Sequence, residues 1–232
     1  MSGKTLKLTI IALLALMVTV SALPRYTTGW PWSQPFKVPH QSELQAIRDE
    51  GITIPGWQTK AQIRTKFGGA DWSIQELTTS DESRPVFLLL RPQIWEGDQP
   101  EVEWLDIRSA QNWDIDNYRE LLIEIPAPSQ DTTAESSQSV RIKGGFFRAS
   151  NNERESYAVL HWYAWPTGGS PAPARWFWAD QRAQWQWRQR MPWVAVNIWV
   201  PIQPLGDIDV EAAFVEQLAQ SVHQTLIQTV FD

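Results

Sequence analysis

Residues 157–165, Tyr-Ala-Val-Leu-His-Trp-Tyr-Ala-Trp, decide the fold. Read as a strand, they place Val159, His161, Tyr163 and Trp165 on one face and Leu160, Trp162 and Ala164 on the other. Bulky groups on both faces predict a strand covered on both sides, which is a central one. Val140 to Phe147 is a second strand-like run, and the turn-forming Ser150-Asn151-Asn152 between them predicts an antiparallel pair. Upstream, Trp72 to Leu77 alternates, Val86 to Arg91 is continuously apolar, Val102 to Ile107 alternates around Trp104, and Leu121 to Ile125 precedes Pro126; each predicts a strand. Ala127 to Ser139 is polar and rich in Ser and Thr, and predicts an exposed loop within the sheet.

Downstream, the loop Thr167 to Pro173 leads to a predicted helix from about Ala174 to Arg190, and then to a strand over Pro192 to Val200, stopped by Pro201 and Pro204. Asp207 and Asp209 open a C-terminal helix with Val210, Phe214, Leu218, Val222 and Leu226 as its apolar stripe. Near the start, Ser42 to Glu50 predicts a short helix capped by Ser42 and ended by Gly51. The turn Pro55-Gly56-Trp57 follows, then a second helical piece from Gln58 to Lys66. The expected class is α+β: a single domain over residues 40–232, with a mainly antiparallel sheet packed by a Trp-rich helix and a C-terminal helix.

Residues 1–24 read differently. Lys4 and Lys7 precede an uncharged run that ends at Leu23, before Pro24 and Arg25. The uncharged run is 16 residues from Leu8; counted from Leu6, with Lys7 inside it, the stretch is 18 residues, roughly 27 Å as a helix and enough to cross a bilayer. Two readings stand: an N-terminal transmembrane anchor, or a signal segment cleaved after Val20-Ser21-Ala22. Both put the remainder outside the cytoplasm, because the lysines favour the inside. Residues 25–39 hold Pro31, Pro35 and Pro39 with Trp30 and Trp32, and predict an extended linker.

Composition narrows the chemistry. The 232 residues include no Cys, which excludes a thiol nucleophile, a disulfide framework and an Fe–S cluster. A net charge of −6 argues against a nucleic-acid binder, which needs a basic stripe. His40, His161 and His223 fall in a linker, a strand and a helix, without metal spacing. No nucleophile elbow, P-loop or dinucleotide fingerprint is present, and the pairs Gly68-Gly69, Gly144-Gly145 and Gly168-Gly169 are read as bulges and turns. Carboxylates beside Trp, among them Glu101, Glu103, Asp106, Asp114 and Asp116, would suit a glycoside hydrolase, but Glu101 and Glu103 alternate with Val102 and Trp104 as one solvent face of a strand does. No catalytic residue, cofactor or metal ion is therefore expected from the sequence.

The distinctive number is 15 Trp. Five Trp or Phe cluster in residues 174–190, together with four Arg and one Asp. At about 100° per residue, Trp176, Ala183 and Trp187 share one side of a helix, and Trp178 and Trp185 lie nearly opposite. One face packs on the domain; the other meets a second layer such as the C-terminal helix, a membrane or a partner. Arg beside Trp suits anionic headgroups, an acidic partner or cation–π stacking. The candidate contact residues are Arg175, Trp176, Trp178, Arg182, Trp185 and Trp187, followed by Pro55, Gly56 and Trp57.

Five segments carry a family resemblance: Gly51 to Trp57, Arg91-Pro92-Gln93, Pro100 to Ile107, Pro173 to Gln181 and Pro201 to Ile208. Together they resemble the cyanobacterial cyanoexosortase B system-associated proteins, within the wider group of exosortase-associated proteins. The resemblance implies a small, singly anchored protein that accompanies an integral-membrane exosortase, and the expected function is that of a non-enzymatic accessory. That enzyme is thought to process proteins bearing a C-terminal PEP-type sorting signal, often alongside exopolysaccharide export. The exosortase uses a cysteine; this chain has none. The resemblance favours the anchor, with the N-terminus cytoplasmic and the main domain in periplasm or lumen. The alternative is a carbohydrate-binding extracytoplasmic module, since indole faces stack on sugars; an enzyme acting on glycan or peptide is the third reading.

Overall fold

The structure is a computed structural model that describes residues 7, 9–19, 35–67, 69–79, 84–101, 113–126, 139–151, 155–204 and 206–231. It divides into two compact units, Met1–Phe36 and Lys37–Asp232. In the first, residues 9–19 are helical and exposed. Among the described residues no helix is long and apolar enough to cross a membrane.

The second unit is α+β. In chain order it contains α1 (Gln41–Glu50), β1 (Gln58–Phe67), β2 (Ala70–Thr78), β3 (Val86–Pro92), β4 (Asp114–Ile125), β5 (Val140–Ser150), β6 (Ser156–Trp165), β7 (Gly168–Ser170), α2 (Pro173–Trp187), β8 (Val194–Ile202) and α3 (Asp209–Leu226), which runs into a π turn over Ile227–Phe231. The strands form one sheet in the order β1-β2-β3-β8-β6-β7-β5-β4, with β6 also paired to β5. Every pairing is antiparallel except β5 with β7, where Ile142 faces Gly169. The run 157–165 is indeed central: β6 pairs with β8 on one side and with β5 and β7 on the other.

Alternation along the central strands sorts side chains into two buried layers. Leu88, Leu90, Leu160, Trp162, Val196 and Ile198 face Leu44 and Ile47 of α1 and Val215, Leu218, Val222 and Leu226 of α3. Leu89, Val159, Tyr163, Ala195 and Trp199 point the other way, into a layer shared with Trp176 and Ala183 of α2. Helices α2 and α3 thus pack against opposite faces, and α3 does not cover the outer side of α2.

Several expectations are corrected. Gln58–Lys66 is not helical: its helix-favouring Gln, Lys and Arg lie in edge strand β1, where the antiparallel partner β2 supplies the backbone hydrogen bonds. The pair Gly144-Gly145 makes neither bulge nor turn but lies inside β5, and the predicted loop at Gly168 contains β7. Strand β8 continues through Pro201, which pairs with Tyr157. The α3 stripe rotates off Val210, which is 76% exposed, because successive steps of four overrun a 3.6-residue turn; Glu211, Val215, Leu218 and Val222 face inward. Helix α1 begins after His40, in the left-handed region at φ 54°, and Ser42 hydrogen bonds to Glu43 instead of capping. The strand expected over Val102 to Ile107 and most of the loop from Ala127 lie outside the described residues.

Candidate functional site

Pro173 starts α2 at a position where its missing N–H costs nothing, and Arg188, left-handed at φ 58°, ends it. Its inner face is fixed by a buried polar anchor. Asp180 accepts hydrogen bonds from Arg190 Nε at 2.9 Å, the Met191 N–H at 2.8 Å and Gln184 Nε2 at 2.6 Å. Arg190 lies over the Trp176 ring at 5.4 Å, and Trp176 Nε1–H donates to the Met191 carbonyl at 3.1 Å. Trp176, 2% exposed, is therefore core and not a contact residue. Small Ala183, also buried, lets the helix approach the sheet.

The outer face is the reverse. Trp178 is 70% exposed and Trp185 80%, with Phe177 exposed and meeting Trp178 edge-on at 5.4 Å. Arg175 and Arg182 are exposed beside them. Phe177, Trp178, Gln181, Arg182, Trp185 and Gln186 line an open groove of about 420 Å³. Trp187, expected on the same side as Trp176, is 56% exposed because the helix ends there before it can be covered.

Pro55, Gly56 and Trp57 form a separate feature. The Trp57 N–H donates to the Ile54 carbonyl at 3.1 Å across a turn in which Gly56 takes φ 80°, where glycine is favoured. Trp57 packs on Phe214 of α3 at 5.9 Å, in the layer of the opposite sheet face, so the two candidate segments are not brought together.

His161, in β6, lies against Gly145, where a Cβ would come within 2.2 Å of its Nε2. Burial pushes its pKa down to about 3. His223 of α3 accepts a hydrogen bond from Trp162 Nε1 at 3.4 Å through Nδ1 and is likewise pushed to about 3. Sequence reasoning placed His223 on a helix without seeing its buried partner Trp162 on the sheet face that α3 covers. In a cleft of about 250 Å³ beside Trp95, burial raises the Asp98 pKa, while Arg91 pairs with both Asp98 at 3.2 Å and Glu101 at 3.1 Å. A guanidinium shared by two carboxylates makes this an ion triad, a different arrangement from a free acid and base. Among the described residues, no three metal-ligating side chains converge.

Comparison with protein-family models, curated proteins and solved structures yields no match.

Proposed function

We propose that this chain is a non-enzymatic, membrane-anchored accessory protein that works by docking, with the outer face of α2 as its contact surface. The observation that carries the reading is the exposure of Trp178 and Trp185 on a helix whose opposite face is locked into the core. Indoles bury large apolar areas and recur as interface anchors, so two of them held rigidly in solvent favour an occupied surface. The apolar stretch to Leu23 behind Lys4 and Lys7 supports an N-terminal tether with the main unit outside the cytoplasm. The resemblance of Gly51–Trp57 and Pro173–Gln181 to the cyanoexosortase B system-associated proteins supplies the pathway: an integral-membrane exosortase as partner.

The test is a crosslinked pull-down of tagged full-length protein from native membranes, with mass spectrometry of partners and of its own N-terminal peptide. Recovery of an exosortase, lost in the Trp178→Ala/Trp185→Ala double variant, together with a peptide upstream of Ala22, is the expected result. A mature N-terminus at Leu23 with no exosortase recovered refutes it. The open groove between Trp178 and Trp185 also favours a second reading, a polysaccharide-binding module. That reading requires the melting temperature to rise with the cognate exopolysaccharide.

A further inference from the structure

We infer that the outer face of α2 seats in the headgroup layer of an anionic phospholipid bilayer. This rests on the docking reading and names what the surface docks onto. The first argument is charge. The only carboxylate of α2, Asp180, is turned inward and bound to Arg190. Around the helix axis Arg175 and Arg182 flank the two outward indoles, with Phe177 on the other flank, and neither arginine meets a carboxylate among the described residues. The exposed face is thus aromatic and cationic without acid, in a chain of net charge −6. Indole belongs at the boundary of headgroups and acyl chains, and guanidinium binds phosphate bidentately, so this mixture matches an anionic interface. A neutral glycan would match the indoles but leave the arginines without a counterpart.

The second argument is the path of the chain. The Arg190 N–H, three residues beyond α2, donates to the Lys37 carbonyl at 3.0 Å. Pro39 and His40 share a cavity of about 190 Å³ with Ala183 and Trp187. Polypeptide arriving from the apolar N-terminal stretch therefore joins the second unit at the C-terminal end of α2. The 13 residues from Pro24 to Phe36 reach at most about 45 Å when fully extended. On the anchored reading proposed above, this contour length is the upper bound on how far a bilayer-held N-terminus leaves the start of the second unit from the lipid, and weak contacts then suffice.

The absence of Cys allows a single label on the full chain. Gln181→Cys, between the two indoles, carries an environment-sensitive fluorophore, and Lys60→Cys on exposed β1 is the control. In proteoliposomes containing phosphatidylglycerol, the Gln181→Cys label should shift to the blue and be quenched by brominated acyl chains, while the control label does neither. In phosphatidylcholine alone, or with Arg175→Gln/Arg182→Gln, the ratio of docked to undocked label should fall on the order of thirty-fold, at about 1 kcal/mol per arginine. No shift in anionic vesicles overturns the inference, as does a shift produced by soluble polysaccharide without them. The pull-down with Trp178→Ala/Trp185→Ala separates the two failures. Where anionic vesicles give no shift, exosortase recovery that still depends on these residues leaves the docking reading standing with protein as the occupant, and recovery independent of them overturns both.

Discussion

Mild acid should destabilise this protein through two imidazoles. His161 and His223 are buried and uncharged, with pKa values pushed to about 3, whereas in the unfolded chain each titrates near 6.5. Below pH 6.5 the unfolded state binds protons that the native state refuses, so stability falls with pH until about pH 3. Between pH 7 and pH 5 each imidazole removes about 2 kcal/mol, and the pair about 4 kcal/mol, a large part of the 5–15 kcal/mol typical of a domain. The raised Asp98 has the opposite sign, since its native carboxyl takes up a proton more readily. The carboxylates held low by surface arginines, such as Asp49 and Asp71, lose their contribution only under more acidic conditions, as pH falls below their ordinary range. Urea unfolding of the full chain at pH 7, 6 and 5, followed by tryptophan fluorescence, measures the slope. His161→Gln and His223→Gln should each remove about half of it, whatever they cost at pH 7. A wild-type stability flat from pH 7 to pH 5, or a slope unchanged in both variants, would refute the reasoning.

Trp176→Ala should cost 3–5 kcal/mol by analogy with other buried aromatic truncations, whereas Trp178→Ala and Trp185→Ala should each stay within about 0.5 kcal/mol; thermal melts of the three variants check this contrast. Asp180→Ala leaves Arg190 buried beside Trp176 without its anion and should cost about 3–5 kcal/mol, read as a lower urea midpoint. Gly145→Ala drives a methyl into the His161 ring and should cost about 1–3 kcal/mol by the same assay.

Where the apolar pattern was strong, sequence and structure agree. The two-sided run at 157–165 placed the central strand, and Val86–Arg91 and Val140–Phe147 fell within β3 and β5. Strand β1 was missed because Gln, Lys and Arg at a sheet edge carry no buried stripe, so intrinsic helix preference was the only local signal. The candidate surface was half legible. Helical angles put Trp176 opposite Trp178 and Trp185, but an angle does not say which side goes inward. Two local cues bear on that choice: Ala183, small enough for close packing, and Asp180, one turn from Trp176 and able to pair with Arg190. The buried contact of Trp162 with His223 joins residues 61 positions apart and has no local signature.

The sheet order carries a consequence for biosynthesis. Strand β8 lies between β3 and β6, yet among the described strands of this sheet it comes last in chain order. Until residues 194–202 have emerged, β3 and β6 each present an unpaired edge, and their apolar side chains have no completed layer to enter. A chain arrested before residue 194 would hold two open half-sheets able to pair with other polypeptides. Nascent molecules therefore need protection through most of their synthesis, and truncations that remove only the last forty residues should aggregate instead of leaving a smaller folded unit.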